Sequence, residues 1–241
     1  MNHVIYILAD RSRGEDIASS GAGLLATVQS YYAMLAGRPN WDGPRGWAFH
    51  DWVSAVEVFE HPLPAWTNMD TRLVHIDPRA DDWRRVYAEV LQRVKDTDAA
   101  PYADLDIADI AAIAGHELTH HLRVFRETPD SAQWFEEGFC FAVPRRGILP
   151  RSRYRAVQAA EAALVRAYAD QFGATDVWEF GANDDGSGGP AALYDYWRAI
   201  AVVERLIAHR YGDDPWAALS DFERWCRESQ DTPLAVWLGL V

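Results

Sequence analysis

Apolar residues in the first eighty positions fall into short runs separated by turn-forming residues, a pattern that is typical of a small sheet. The run HVIYILAD is rich in β-branched and aromatic residues, which predicts a buried strand, and VSAVEVFEHP alternates with period two. A longer apolar segment closed by Gly37 and Pro39 fits a helix. The elements predicted here are strands over 3–10, 53–62 and 71–78, a helix over 21–37, and a loop over 38–52 that is dense in Pro, Gly and Trp.

From residue 81 onward the apolar residues recur every three or four positions, which predicts helices separated by Gly- and Pro-rich loops. The helices are expected over 81–94, 108–125, 131–143, 151–173, 191–212 and 214–229, with loops over 144–150 and 181–190. In the second of these helices, one stripe should face the core: Ile110, Ala114, Leu118, His121 or Leu122, and Phe125.

This order of elements predicts an α+β fold. A small N-terminal sheet is expected to pack on the helix over 108–125, forming a lobe over 1–125, and a mostly α-helical lobe over 126–241 follows. Neither an internal repeat nor an obvious linker divides the 241 residues, so a single domain over 1–241 is predicted.

The charge and the cysteine content restrict the function. A formal net charge of −13 argues against nucleic acid as a partner, because phosphate contacts need clustered Lys and Arg. Cys140 and Cys226 are too few for a disulfide scaffold. The N-terminal apolar run is too short for a signal peptide, and no apolar run approaches the roughly 20 residues of a membrane span. We therefore expect a cytoplasmic protein without a membrane partner.

Three histidines and a glutamate interrupt the apolar pattern in AGHELTHHLRVF. His116, Glu117 and His120 satisfy the pattern H-E-x-x-H. Residues four apart share one face of a helix, so both imidazoles can meet at one metal ion. The Glu117 carboxylate can reach a water molecule on the same ion, which predicts a zinc site with Glu117 as general base. His121 points to another side of the helix and is expected to pack or to support the site.

A catalytic zinc also needs a third protein ligand and one open position. In the next predicted helix, the segment WFEEGF offers Glu137 as a carboxylate ligand, and the small Gly138 beside it would let two helices pack closely. Together AGHELTHH and WFEEGFC resemble the gluzincin metallopeptidases, the superfamily of thermolysin and the zinc aminopeptidases, whose second motif commonly reads W-x-x-E-G.

The resemblance implies that His116, His120 and Glu137 bind zinc, that Glu117 is the base, and that the chain is a minimal gluzincin-like catalytic domain. It departs from the thermolysin pattern at Phe141, where that pattern has an acid that holds a ligand histidine. The partner of the histidine must then come from elsewhere, from a backbone carbonyl or another side chain.

Several nearby residues have open roles in the sequence. Glu136 is either a partner of a ligand or simply solvated. Cys140 is expected to be a small core residue, because three ligands are already assigned. The strand over 71–78 carries His75, for which packing is expected rather than catalysis. The resemblance implies that such an edge strand lies along the cleft and pairs with an extended substrate.

Gluzincins often place a tyrosine at the start of a later helix, where its hydroxyl stabilises an oxyanion. The segment YDYWRAIAVVERLIAHRYG resembles that helix. Tyr196 is the first candidate, because it shares the apolar face of the helix, and Tyr194 is the alternative. A packing role for the tyrosine remains equally open.

Three functions follow as hypotheses. The first is a zinc-dependent hydrolase of peptide or amide bonds. The second is a zinc enzyme that acts on a small-molecule amide or ester, since a fold does not determine a substrate. The third is a non-catalytic module with a structural zinc, against which Glu117 argues because such a site needs no base.

Overall fold

The computed structural model describes residues 3–8, 11–60, 63–91, 100–173, 175–182 and 189–241. These residues form an α+β fold with one small mixed sheet and a larger set of helices. The strands are β1 (Val4–Ile7), β2 (Gly46–His50), β3 (Ala65–Asn68) and β4 (Leu73–Ile76). The helices are α1 (Gly14–Ala36), α2 (Trp52–Phe59), α3 (Ala80–Leu91), α4 (Ala100–Ala103), α5 (Ile107–Thr119), α6 (Gln133–Ile148), α7 (Arg151–Phe172), α8 (Pro190–His209), α9 (Pro215–Glu228) and α10 (Leu234–Trp237).

The sheet has the strand order β1-β2-β4-β3. β2 lies parallel to β1 and to β4, whereas β3 pairs with β4 in the antiparallel sense, with Trp66 opposite His75. β2 is buried along its whole length, and α1 packs on it so closely that a Cβ added at Gly21 would lie 2.5 Å from the ring of Phe49. β3 is therefore the edge strand next to α5. The strand predicted over 71–78 corresponds to β4, which was expected at the edge but lies inside the sheet.

Helix α5 lies at the centre of the fold and contacts α1, α6, β3 and β4. The residues predicted as its core stripe are all buried, His121 and Leu122 included, but His121, Leu122 and Phe125 lie after the end of the helix. The sheet thus packs on this helix as predicted. The close packing expected at Gly138 is also confirmed, because a Cβ there would lie 2.6 Å from the carbonyl oxygen of Ala199 on α8.

The strand predicted over 53–62 is wrong, because residues 52–59 form helix α2. The side chain of Asp51 accepts a hydrogen bond from the backbone N–H of Ser54 (2.7 Å) and caps this helix. Val56 and Val58, which the alternation would bury, are about half exposed at 46% and 55%. The cap at Asp51 therefore stabilises a helix in a segment whose β-branched residues favour a strand. Residues 61 and 62 lie outside the described residues.

The other differences concern the bounds of elements and the strands of the sheet. The predicted loop over 38–52 contains β2, and β3 was not predicted. β1 is an exposed edge strand rather than a buried one. α1 begins seven residues earlier than predicted, at Gly14 instead of residue 21. α6 continues through Pro144, which the predicted loop over 144–150 had excluded. Most of the loop predicted over 181–190, residues 183–188, lies outside the described residues, as do residues 92–94.

The helix predicted over 108–125 ends at Thr119, and His120 follows as its C-cap with a helical backbone (φ −57°, ψ −19°). A short 3₁₀ turn then covers Arg123–Glu127. In the part of the chain described above, no helix has the length and apolar character needed to cross a membrane.

Candidate metal centre

The two histidines of the H-E-x-x-H motif lie in and just after the last turn of α5. Asp106 caps the start of this helix, and the side chain of Asp109 completes a capping box. From Asp109 to Thr119 every residue of the helix is buried. The backbone N–H of His120 still bonds to the carbonyl of His116 at 3.4 Å, so the i, i+4 geometry is kept although the helix ends at this point.

Three side-chain atoms from α5 and α6 converge. The Nε2 atoms of His116 and His120 lie 3.1 Å apart. Oε2 of Glu137 lies 3.5 Å from Nε2 of His116 and 3.6 Å from Nε2 of His120. Tetrahedral zinc with bonds of about 2.05 Å would hold two such atoms about 3.4 Å apart. The triangle therefore has the dimensions of three ligands around one zinc ion.

The hydrogen bonding of the triangle fits the same conclusion. Oε2 of Glu137 is buried without a hydrogen-bond partner, which is costly for a carboxylate unless something else meets it. Both histidines present Nε2, the atom that imidazole ligands commonly use. His116, Glu117 and His120 together form a group whose ligand atoms lie within 4.8 Å of one another. The donor set of two imidazoles and a carboxylate suits zinc.

Glu136 supports His120 from the side away from the triangle. Its Oε1 lies 2.7 Å from Nδ1 of His120, so the imidazole donates from Nδ1 and keeps the Nε2 lone pair for a metal. Of the two roles open for Glu136, the structure thus shows contact with the histidine. The ring of His116 instead packs on Phe141, with 3.8 Å between the centroids.

Burial governs the electrostatics of the centre. It raises the pKa of Glu117 to about 8 and lowers the pKa of His116 well below its usual value, to which the nearby His120 also contributes. Around His120, burial opposes protonation, but Cys140 and the carboxylates of Glu137 and Glu136 raise the pKa above its usual value. Without a metal, burial thus favours the neutral forms of both His116 and Glu117 at neutral pH.

The residues assigned to packing do not point their side-chain atoms into the triangle, although the sulfur of Cys140 lies 3.7 Å from Nδ1 of His120. Cys140 is fully buried, and burial raises the pKa of its thiol to about 12, which keeps it protonated. His121 is buried with Nε2 3.4 Å from the hydroxyl of Thr67. His75 stacks on Trp66 with 4.4 Å between the ring centroids and does not line the cleft described next.

A cleft of about 710 Å³ opens over the triangle. β3 forms one wall, and the hydroxyl of Thr67 holds this strand against α5 by donating to the carbonyl of Glu117 at 3.1 Å. Ile113, towards the start of α5, lies at an apolar end of the cleft. The residues that line the cleft include Leu63, Ala65, Trp66, Trp83, Val86, Tyr87, Phe141 and Leu193, and also Met69, Arg72, Phe125 and Arg126.

The two tyrosines that the sequence left open have different surroundings. Tyr196 lines the cleft together with His116 and Glu137, and its ring contacts Phe141 and Phe180. Tyr194 is buried, and its hydroxyl donates to the carbonyl of Gly173 at 3.0 Å. Of the two, Tyr196 is the one placed beside the triangle.

Thr67, Arg72 and Arg126 were not predicted to be members of the cleft. Thr67 lies on a strand that was not predicted. Arg126 lies just after α5, whereas Arg72 precedes that helix by many residues.

Comparisons of the chain with protein families, with curated proteins and with solved structures found no match.

Proposed function

We propose that the protein is a zinc-dependent hydrolase that cleaves peptide or amide bonds, with a gluzincin-like centre. The observation that carries the proposal is the triangle of His116, His120 and Glu137, whose edges of 3.1, 3.5 and 3.6 Å match the ligand spacing of tetrahedral zinc. When bound there, zinc would polarise the scissile carbonyl and lower the pKa of a water molecule.

Glu117 is the group that moves the proton. Its Oε1 lies 3.8 Å from Nε2 of His116, on the cleft side of the triangle. Burial raises the pKa of its carboxyl, which makes the carboxylate a stronger base than an exposed glutamate, and the positive charge of a bound metal would favour its ionised form. In this role it accepts a proton from the attacking water and passes that proton to the leaving nitrogen.

Tyr196 and β3 position the substrate in this proposal. A phenolic O–H at the wall of the cleft can donate to the oxygen that gains negative charge as the carbonyl is attacked. β3 is an edge strand beside α5, so its outer backbone groups can pair with an extended peptide. Both features support a substrate that lies along β3 over the triangle.

A small-molecule amide or ester is the second candidate substrate. The cleft volume of about 710 Å³ falls within the range of pockets that enclose small ligands, roughly 300–1,000 Å³. A non-catalytic zinc module is less well supported, because a structural zinc is closed by four ligands, whereas His116, His120 and Glu137 converge here in an open cleft with Glu117 buried beside them.

The test is hydrolysis by purified, zinc-loaded protein. A mixed pool of unmodified peptides and a panel of small amides and esters are incubated with wild-type protein and with Glu117→Gln, and the products are identified by mass spectrometry. We expect cleavage by the wild type that a chelator abolishes, and none by the variant. Equal activity of the two proteins would overturn the assignment of the base and indicate a contaminant or another mechanism.

A further inference from the structure

We propose that the cleft selects substrates that carry a carboxylate group, which Arg126 and Arg72 bind at the end of the cleft beyond His120. This inference rests on the proposed function, because it takes the molecule bound in the cleft to be the substrate. It is carried by the placement of two guanidinium groups in the lining of one cleft and by the charge around them.

The two arginines lie at the same end because β3 and α5 run side by side. The bond between Thr67 and the carbonyl of Glu117 joins the strand to the helix at the level of the triangle. Past that point the strand leads into the turn that carries Met69 and Arg72, and the helix leads into the 3₁₀ turn that carries Arg126. The polar end of the cleft therefore combines residues that are far apart in the sequence.

Contacts with Asp42 bring the guanidinium groups together. Arg126 forms an ion pair with the Asp42 carboxylate, and Nε of Arg72 donates to the carbonyl of Gly43 at 3.1 Å, while its Nη2 donates to the carbonyls of Asp42 and Gly43. Arg123 also pairs with Asp42, with 2.8 Å between Nε and Oδ1. The Asp42 carboxylate thus pairs with two guanidinium groups, and the third, that of Arg72, bonds to the backbone carbonyls beside it, so positive charge is in excess around Asp42.

This excess is unusual for a chain whose formal net charge is −13. The hydrogen bond from Arg123, and then the charges of Arg126 and Arg72, lower the pKa of Asp42. Asp42 is therefore ionised at neutral pH, and its one negative charge does not neutralise the arginines around it. Arginine binds carboxylates through paired N–H groups, and its side chain is charged throughout the working pH range. A substrate carboxylate in the cleft would neutralise positive charge of these arginines that Asp42 does not neutralise.

The carboxylate could belong to an acidic side chain or to the C-terminus of a peptide. Four peptides with the same apolar residues separate these sources: one with Glu and one with Gln at the variable position, each with a free or an amidated C-terminus. Binding is measured by fluorescence anisotropy to zinc-loaded Glu117→Gln protein, which should bind without turnover. Cleavage of the same peptides is measured with the protein that retains Glu117.

Arg126→Gln and Arg123→Gln form a matched pair. Both remove one guanidinium that contacts Asp42, but only Arg126 lines the cleft. We expect Arg126→Gln to weaken binding of the carboxylate peptide about tenfold, the loss of one hydrogen bond to a charged group, and to leave the neutral peptide unchanged. Arg123→Gln should change neither peptide by more than about twofold.

The results distinguish the inference from the proposed function. If the fully neutral peptide binds as well as the carboxylate peptides and Arg126→Gln changes neither, the inference is wrong even when peptides are cleaved. If no peptide is cleaved but binding depends on the carboxylate and on Arg126, the proposed reaction fails and the carboxylate site stands. A preference that follows only the free C-terminus assigns the carboxylate to the peptide end, and one that follows Glu assigns it to a side chain.

Discussion

Two buried clusters of charged groups differ in how they are neutralised. The first is called the closed cluster, and in it Arg145 bonds to both carboxylate oxygens of Glu161 at 2.8 Å. The hydroxyl of Tyr102 donates to Glu161 at 2.7 Å, and the indole N–H of Trp197 donates to the hydroxyl of Tyr102 at 3.0 Å. In the second, the open cluster, His116, Glu117, His120 and Glu137 direct their nitrogen and oxygen atoms at one another across the cleft.

The closed cluster supplies its own cation and pairs its polar atoms within the protein. The open cluster contains mainly acceptor groups, and Oε2 of Glu137 and Nδ1 of His116 are buried without a hydrogen-bond partner. Burying such groups is expensive unless a cation joins them. The difference supports the proposal that the open cluster binds a metal ion, whereas the closed cluster is neutralised within the fold.

The largest effect should come from breaking the closed cluster. Glu161→Ala leaves the buried guanidinium of Arg145 without its carboxylate, so we expect the free energy of unfolding to fall by about 3–5 kcal/mol. Urea unfolding of the metal-free protein measures this loss. The affinity of the remaining folded protein for zinc should change by no more than about threefold, since Arg145 reaches His116 only by its charge and by the ring of Phe141 that packs between them. A large loss of zinc affinity would show that the clusters act as one.

The next effect concerns the reaction at the open cluster. If Tyr196 donates to the developing oxyanion, Tyr196→Phe should lower kcat by about 10²–10³-fold. Tyr194→Phe is the matched control, because its hydroxyl bonds to the carbonyl of Gly173 and its loss should cost about 1 kcal/mol of stability without affecting kcat. If Tyr194→Phe lowered kcat and Tyr196→Phe did not, Tyr194 would be the donor.

The stability of the metal-free protein should reveal the cost of the open cluster. The pKa of Glu117 rises from 4.5 to about 8 on folding, so the folded state holds the proton more tightly. Its contribution to stability is present below pH 4.5 and is lost as the pH rises from about 4.5 to 8. Glu117→Gln, which carries no charge, should therefore be more stable than wild type by about 4 kcal/mol at pH 8 in the presence of a chelator.

The same comparison made at several pH values gives its own control. The gap between the variant and the wild type should shrink towards zero near pH 4.5. A gap that is independent of pH would mean that the substitution acts through packing and not through the buried charge.

The smallest of these effects is expected at Glu136. Glu136→Gln weakens the acceptor that orients His120, and we expect zinc affinity to fall about tenfold. Cys140→Ala is the control, since its sulfur lies 3.7 Å from the same Nδ1 atom but is a weak partner. Competition with a chromogenic chelator measures both. Equal losses for the two variants would argue that packing around the imidazole matters more than the carboxylate.

The two regions of the cleft also differ in how far the sequence predicted them. α5 and α6 were predicted because helical periodicity is a local signal and because the i, i+4 spacing places His116 and His120 together. The contact between Glu136 and His120 was one of two open roles, because the sequence does not fix how the two helices face each other. The length of α6 was underestimated because Pro144 is tolerated inside it.

The sheet side of the cleft was predicted poorly. The valines of α2 have the composition of a strand, but the cap at Asp51 and the exposure of that face decide for a helix. β3 is only four residues long, and a strand of that length gives a weak periodic signal. Arg72 and Arg126 meet around Asp42 through long-range folding, which no local pattern encodes.

Zinc titration of the metal-free protein, wild type against Glu137→Ala, tests the central claim that the open cluster binds a metal through three ligands. We predict that the wild type binds one zinc ion per chain, and that Glu137→Ala loses more affinity than the 10- to 100-fold expected when only an outer partner is removed. Failure of the wild type to bind zinc, or retention of normal zinc affinity by Glu137→Ala, would contradict the account.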